Sequence, residues 1–185
     1  MESTRSLLQT GQLDARAAAA AVRTVVVAAL IVLIVRSAAE ATGTRLVLNI
    51  TQSEPLGLYL ATKADLPAVR SGMLVLFQVP PAYRSLVIRR GWLTDAVPLI
   101  KEISALEGDQ FCVNDKEITV NGRPFGPKFQ VDSTGEPMPE IRGCFCIQKG
   151  EFLPLSHAER SFDGRYIGPQ PLSMITAILI PIWTR

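Results

Sequence analysis

Ser53 lies in a turn that could present its hydroxyl group as a nucleophile. Pro55 fixes its own φ angle and keeps the preceding residue out of the helical region, so the chain after the serine is extended or turning. Gly57 permits backbone angles that a side chain forbids. The apolar runs 45–50 and 58–61 flank this turn, as strands would. The segment therefore either presents a reactive serine at a strand end or forms an ordinary surface turn, because Ser, Pro and Gly are common turn residues.

Lys101 is the candidate base for this serine. Histidine is the usual base, but a lysine also works when burial disfavours its charged form and lowers its pKa. In the run 98–106, the alternation of a strand places Lys101 on the same face as Leu99, Ile103 and Ala105. A lysine on such an aliphatic face is either functional or an edge-strand residue that reaches water and opposes aggregation.

A third polar segment, 161–168, could support the lysine. Asp163 and Arg165 can form an ion pair that holds a loop in place, and the Ser161 hydroxyl can hydrogen-bond an amine. Alternatively, the segment is an exposed loop whose salt bridge adds little stability. His157 offers another base, for a Ser-His-Asp hydrolase, but it lies in a polar loop and the lysine already supplies a base.

The sequence predicts a mainly β domain with few helices. Two prolines at the start of 80–90 and Gly91 after it favour a short helix there. Asn121-Gly122 is typical of a tight hairpin turn, and the prolines, glycine and charges of 128–142 indicate a long loop or flap. The predicted strands, rich in Val, Leu and Ile, are 45–51, 58–62, 73–79, 98–106, 118–120, 144–147, 151–155 and 172–183.

The N-terminal part of the chain contains an apolar segment long enough to cross a membrane. Residues 17–35 carry no charge apart from Arg23, and as a helix they would span about 28 Å, close to the thickness of a bilayer core. Residues 39–41, Ala-Glu-Ala, have the small-x-small form of a signal cleavage site. We therefore expect the segment 17–37 to be either an uncleaved transmembrane anchor or a cleaved signal segment.

This segment divides the chain into parts with different surroundings. We expect residues 1–16 to form a cytoplasmic tail, of which 1–14 are polar and loosely ordered, and residues 37–44 to form a short linker. A slight excess of arginine before the apolar core favours an N terminus inside the cell. Residues 45–185 would then form the domain across the membrane, with a hairpin and flap insertion at about 112–146.

The composition argues against several other classes of site. The net charge is only +2 and the basic residues are scattered, so the chain lacks a polybasic surface for nucleic acid. The three cysteines contain no CxxC pair, and the single histidine argues against a multi-histidine metal site. The sequence has no GxGxxG or P-loop pattern. We therefore expect no metal, no cofactor and no nucleic-acid partner.

Three separated stretches together resemble the type I signal peptidase superfamily, most closely its TraF-type conjugative-transfer branch. Residues 49–59 (NITQSEPLGLY) are similar to the nucleophile box of that branch. Lys101 followed by 105–109 (ALEGD) is similar to its lysine box, and 161–168 (SFDGRYIG) is similar to the box that supports the lysine. The order, the spacing and the N-terminal apolar segment also match, so the resemblance covers nearly the whole chain.

The resemblance implies a role for each of six residues. Ser53 would be the nucleophile and Lys101 the general base. Thr51 would contribute its hydroxyl, together with the backbone N–H of the serine, to an oxyanion hole. Ser161 would hydrogen-bond the lysine amine and orient it. The loop that carries this serine would be braced by Asp163 and Arg165.

The resemblance also implies an activity and a location. The protein would be a membrane-anchored serine peptidase with a signal-peptidase-like β domain in the periplasm of a Gram-negative cell. Its partners would be the inner membrane, the transfer machinery and a substrate, either a conjugative pilin precursor or another exported protein. The acyl-enzyme would react with water, or with the pilin's own amino terminus to give a cyclic product. The alternative is a non-catalytic, membrane-anchored β scaffold of a transfer or secretion complex.

A disulfide between Cys112 and Cys144 is expected in such a compartment. Both cysteines lie just inside predicted strands that flank the hairpin and flap, and the TraF-type branch has cysteines in similar places. Cys146 shares the strand face of Cys144 and is the rival partner. The remaining alternative is three buried free thiols.

Overall fold

The computed structural model describes residues 2–93 and 98–185. The chain forms two units, one that ends at Gly43 and one that spans Thr44–Arg185. The first unit is a helix, α1 (Glu2–Thr42). The helix ends where Gly43 takes a positive φ of 64°, which is a common way to terminate a helix because glycine adopts this angle without steric cost.

Helix α1 is longer than the sequence analysis expects. Residues 1–14 are expected to be loosely ordered and 37–44 to be a linker; Met1 lies outside the described residues. Both expectations are wrong. Residues 2–14 are helical, and in 37–44 the helix continues to Thr42. Leu and Gln in 1–14 and Ala in 37–44 have high helix propensity. Extending an existing helix also needs no new nucleus.

The apolar part of α1 is long enough to cross a membrane. Ala21–Thr42 meets this requirement by length and composition, as does a signal sequence near an N terminus. This stretch overlaps the segment 17–37 for which the sequence analysis expects an anchor or a signal segment. Its exposed apolar side chains fit a lipid environment, which requires a helix to satisfy its own backbone hydrogen bonds.

The second unit confirms the prediction of a mainly β fold. The described residues form two antiparallel sheets, one of seven strands and one of four. Among the described residues, two α-helices accompany them, α2 (Pro81–Arg89) and the single turn α3 (Gly164–Ile167), with short 3-10 helices at Leu66–Ala68 and Leu172–Met174. The strands are β1 (Arg45–Asn49), β2 (Gly57–Lys63), β3 (Leu74–Phe77), β4 (Leu99–Ala105), β5 (Gln110–Val113), β6 (Glu117–Val120), β7 (Arg123–Pro127), β8 (Gly143–Cys146), β9 (Glu151–Leu155), β10 (Gln170–Pro171) and β11 (Ile175–Thr184).

The boundaries differ from the predicted ones mainly at strand ends. The strand predicted over 45–51 ends at Asn49, because the next residues form the turn that contains Ser53. The strand predicted over 172–183 begins only at Ile175, because Leu172–Met174 forms a short 3-10 helix after Pro171. Pro171 still pairs with β9, and after the 3-10 helix the chain pairs with β2 and β3 instead.

The seven-stranded sheet, in the order β1-β2-β11-β3-β4-β9-β10, places Lys101 in an interior strand. Strand β4 pairs with β3 on one side, where Lys101 lies opposite Val75, and with β9 on the other, where Glu102 lies opposite Leu155. The explanation of Lys101 as an edge-strand lysine is therefore wrong. Leu99 and Ile103, on the same face, belong to the largest buried apolar cluster of this unit.

The four-stranded sheet, in the order β7-β6-β5-β8, forms the hairpin insertion. Asn121 and Gly122 both have positive φ, 51° and 72°, as the predicted tight turn requires. Cys112 lies directly opposite Cys144 in the β5–β8 ladder, and the two form a disulfide. Cys146 is an exposed free cysteine.

The long loop over 128–142 is fastened to helix α2. Arg90, at the C-terminal end of that helix, places its guanidinium 3.1 Å from the carboxylate of Asp132. The same guanidinium donates a hydrogen bond to the carbonyl oxygen of Pro137 at 2.5 Å and lies over the ring of Trp92. One arginine therefore holds the loop at two points.

Removing the disulfide should destabilise the hairpin insertion. We expect Cys112→Ser to lower the free energy of unfolding by about 3–4 kcal/mol, because the bond joins residues 32 positions apart and restricts the unfolded chain. Urea unfolding of the unreduced full chain in detergent measures this. The matched control is Cys146→Ser, which removes a free thiol and should change stability by about 0.5 kcal/mol or less. Peptide mapping that finds all three cysteines open to alkylation would contradict the assignment.

Candidate active site

The side-chain amide of Asn49 holds the turn that carries Ser53. Its Nδ2 donates to the carbonyl oxygens of Thr51 at 3.1 Å, Glu54 at 2.9 Å and Pro55 at 3.0 Å. Its Oδ1 accepts from the backbone N–H of Thr51 at 3.0 Å and from the hydroxyl at 2.7 Å. One buried side chain therefore fixes the backbone on both sides of the serine.

Gly57 fixes this turn against the last strand of the sheet. Its φ is +146°, and a Cβ atom at this position would lie 2.1 Å from the carbonyl oxygen of Trp183. The register pairs Gly57 with Thr184, so two backbones meet where a side chain would not fit. The hydroxyl of Tyr59 donates to the carbonyl oxygen of Pro55 at 2.6 Å and ties β2 to the same turn.

Lys101 is almost completely removed from water. Its side chain is 2 % exposed, and Nζ donates a hydrogen bond to the carbonyl oxygen of Ile100 at 2.8 Å. Burial lowers the pKa of Lys101 because a desolvated ammonium group is unfavourable. The carboxyl groups of Asp163 and Glu54 oppose this shift, while the charge of Arg165 adds to it.

Asp163 and Arg165 form a buried ion pair rather than part of an exposed loop. The guanidinium Nε of Arg165 lies 2.9 Å from Oδ1 of Asp163, and both side chains are fully buried. Arg165 also donates to the carbonyl oxygens of Pro127 at 3.0 Å, Glu159 at 2.6 Å and Ser156 at 2.7 Å. The interpretation of this segment as an exposed loop with a weak salt bridge is wrong, because these bonds satisfy a charge that is buried.

Ser156 connects this ion pair to the serine turn, a role that the sequence analysis missed. Its backbone N–H donates to Oδ2 of Asp163 at 3.0 Å, and its carbonyl oxygen accepts from Arg165. Its hydroxyl donates to the backbone carbonyl oxygen of Ser53. A serine between Leu155 and a histidine has no distinctive sequence signal, so only the fold reveals this link.

The hydrogen bond expected between Ser161 and Lys101 is not formed. Ser161 is buried, and its hydroxyl has no hydrogen-bond partner in the part of the chain that the structure describes. The amine of Lys101 donates to Ile100 instead, and the described residues show no hydrogen bond between this amine and Ser53. Hydrogen bonds of a catalytic site are often long without substrate and tighten only when it binds.

The four residues of the expected catalytic group nevertheless line one pocket. Thr51, Ser53, Lys101 and Ser161 all contribute to its wall, and its volume is about 630 Å³. The hydroxyl oxygens of Thr51 and Ser53 are 3.5 Å apart. Most of the remaining wall is apolar and includes Leu46, Leu48, Leu76, Leu99, Val131 and Met138. The pocket therefore combines a serine and a buried amine with an apolar surface for substrate side chains.

Comparison with known proteins identifies the family. Residues 18–183 match the family model described as signal peptidase, peptidase S26. The chain belongs to the signal peptidase S26 family. It is 30% identical over 163 residues to a plasmid transfer protein TraF of Escherichia coli, covering 82% of this chain and 89% of that protein. A conjugal transfer protein TraF of Agrobacterium fabrum is 35% identical over 147 residues, covering 74% and 81%. The resemblance stated from the motifs is confirmed.

A histidine-based site has no support in this S26 chain. His157 is exposed and stacks on Phe125, with 4.8 Å between the ring centroids. It is not among the residues that line the pocket with Ser53. Among the described residues, no group of His, Cys, Asp and Glu is arranged to hold a metal ion. Lys101 is the candidate base that lines the same pocket as Ser53.

Proposed function

We propose that this chain is a serine peptidase in which Ser53 is the nucleophile and Lys101 the general base. The observation that carries the proposal is the burial of Lys101 in an interior strand, on the wall of the pocket that contains Ser53. An exposed lysine has a pKa of about 10.4 and is almost wholly charged at neutral pH. A buried amine with a lowered pKa can accept a proton.

The proposed reaction proceeds through an acyl-enzyme. The Ser53 oxygen bonds to the carbonyl carbon of a peptide while Nζ of Lys101 takes the hydroxyl proton. The peptide C–N bond then breaks, and the lysine gives the proton to the leaving amine. Water or an amine then attacks the carbonyl carbon of the acyl-enzyme while the lysine takes its proton. The bond to the Ser53 oxygen breaks, the lysine returns the proton to that oxygen, and the acyl group is released.

Thr51 is proposed as one donor of the oxyanion hole, together with the backbone N–H of Ser53. Its hydroxyl donates to Asn49 at 2.7 Å, so it would have to rotate to reach a developing oxyanion. The distance of 3.5 Å to the Ser53 hydroxyl puts it within reach of the reacting group. A donor that strengthens its bond only in the transition state contributes directly to the rate.

The proposed substrate is an exported precursor, with a conjugative pilin as the first candidate. Two relatives named as plasmid or conjugal transfer proteins support this assignment, because they match most of the chain. We propose that the acyl-enzyme is released either by water or by the pilin's own amino terminus, which would give a cyclic product. Both outcomes use the same Ser53 and Lys101 chemistry. The transfer machinery is the proposed cellular partner.

The proposed location is the inner membrane, with residues 45–185 in the periplasm and 1–16 in the cytoplasm. We expect an alkaline phosphatase fusion after Arg185 to be active, because that enzyme works only after export. A fusion placed after Arg16 should be inactive and serves as the control. An inactive fusion after Arg185 would contradict this topology.

Loss of either member of the dyad should stop precursor maturation. We expect Lys101→Arg and Ser53→Ala each to lower turnover by about 10²–10⁴-fold or more, because guanidinium stays protonated and alanine has no nucleophile. The double variant should be little worse than either single one, since the two groups act as a unit. Mass spectrometry of a purified pilin precursor, incubated with the full chain in detergent, measures both trimming and the loss of one water on cyclisation.

Two controls complete this test. Thr51→Val should slow the reaction by about 10²–10³-fold, while Thr51→Ser keeps the hydroxyl and should stay close to the parent rate. His157→Ala should leave turnover unchanged. Circular dichroism confirms that each variant is folded. A folded Lys101→Arg enzyme with near-normal turnover would rule out Lys101 as the base and favour another one.

A further inference from the structure

The loop 128–142 forms part of the wall of the pocket that contains Ser53. The residues that it contributes are Phe129, Val131, Asp132, Ser133 and Met138. The wall also includes residues of β1, β3 and β4, among them Leu48, Leu76 and Lys101. The position of the loop therefore sets how much room remains beside these strands.

Backbone hydrogen bonds pair the two halves of this loop. The N–H of Met138 donates to the carbonyl oxygen of Gln130, and the N–H of Asp132 donates to that of Glu136, both at 2.9 Å. The segment 130–138 is therefore a short paired arm, and a contact that positions one of its residues also positions the others.

Arg90, which follows helix α2, holds both halves of this arm. Its guanidinium lies 3.1 Å from the carboxylate of Asp132 in one half. It donates to the carbonyl oxygen of Pro137 at 2.5 Å and to Sδ of Met138 at 3.4 Å in the other half. Only 14 % of the Arg90 side chain and 7 % of the Asp132 side chain are exposed, so water screens this ion pair less than a surface pair.

Arg90 itself is not among the residues that line the pocket. Its guanidinium is directed to groups of the loop, and it also lies over the ring of Trp92, 5.1 Å from the ring centroid. A planar guanidinium has donors in several fixed directions, so it can serve these groups together, whereas a lysine ammonium group cannot. An effect of Arg90 on a substrate must therefore pass through the loop.

We propose that Arg90 determines which substrate side chain the pocket accepts, because it holds the loop in place as an apolar wall. Val131 is 43 % exposed, so together with Met138 it offers apolar surface that a bound side chain would cover. An apolar side chain of the precursor, near the bond that is cut, packs against this wall. A polar side chain of similar size would lose hydrogen bonds to water there. The inference rests on the proposed function, and Arg90 is a positioning residue in it.

The first test compares precursors that carry Leu or Gln, in turn, at each residue near the cut. At the position that enters the pocket, we expect the parent chain to prefer Leu by about tenfold or more in kcat/KM. Arg90→Gln should reduce this preference by about fivefold or more, through a higher KM for the Leu precursor. Its kcat should stay within about twofold, because Ser53 and Lys101 are untouched.

Arg142→Gln is the matched control, since it changes the other arginine of the same loop. Arg142 pairs with Asp115 at 2.9 Å and with Glu140, and 58 % of its side chain is exposed. It does not line the pocket, so its removal should leave the preference for Leu unchanged. Circular dichroism confirms that each variant is folded.

Asp132→Asn removes the other partner of the ion pair. The change keeps Oδ1, which accepts from the backbone N–H groups of Thr134 and Glu136, but removes the charge that faces Arg90. The preference for Leu should fall as in Arg90→Gln. The double variant should be little worse than either single one, because both changes break the same contact.

The second test does not need cleavage. Fluorescent peptides that span the cut and carry Leu or Gln at the selected position are bound to the full Ser53→Ala chain in detergent, and anisotropy gives each Kd. Adding Arg90→Gln should weaken binding of the Leu peptide by about fivefold and leave the Gln peptide close to its starting Kd.

The outcomes separate this inference from the proposed function. If Ser53→Ala abolishes maturation but Arg90→Gln keeps the preference for Leu, or the parent chain shows none, the function stands and selection through Arg90 is wrong. An equal loss for the Leu and Gln substrates also overturns the selection, because Arg90 would then have a merely structural role. If Ser53→Ala still matures the precursor while binding shows the Arg90-dependent preference, the selection stands and the proposed function is wrong.

Discussion

The desolvation of one lysine amine is the constraint on which the rest of the site depends. Lys101 lies in an interior strand, and water is excluded from both of its neighbours on that face, Leu99 and Ile103. An isolated buried ammonium group would be strongly unfavourable, so such a lysine either loses its proton or receives compensating charge. Here both effects operate, because burial lowers its pKa while Asp163 and Glu54 favour the charged form.

A buried ion pair and buried hydrogen bonds fix the groups around Lys101 that shift its pKa. Arg165 neutralises Asp163 and donates to three carbonyl oxygens, which keeps a second charge in the same interior satisfied. Ser156 links that ion pair to Ser53, because its backbone N–H donates to Asp163 and its hydroxyl donates to the carbonyl oxygen of Ser53. The turn that carries Ser53 and the segment 161–168 are therefore joined by hydrogen bonds, although they are far apart in the sequence. Removing one member would leave a buried polar group without its partner, which is the costly case.

The sequence predicted the parts that depend on local pattern. Lys101 stands out because it interrupts an aliphatic strand face, and Ser53 because it precedes a proline and a glycine. The mainly β fold follows from runs rich in Val, Leu and Ile, and the disulfide pair forms as expected. The role of Ser156 could not be predicted, since its bond to Ser53 spans 103 positions and requires the folded sheet. The polar character of 1–14 hides the extension of the N-terminal helix, which is favoured by the Leu, Gln, Glu and Arg residues of that segment.

The most direct measurement of the central claim is the titration of Lys101 itself. The full chain in detergent is labelled with ¹³Cε-lysine, Lys101→Met assigns the signal, and the chemical shift is followed against pH. A buried base predicts that Lys101 titrates below the pKa of about 10.4 of an exposed lysine, because burial disfavours its charged form. A Lys101 signal that titrates at the pKa of about 10.4 of an exposed lysine would contradict the account, because the amine would then be charged at neutral pH and unable to accept the serine proton.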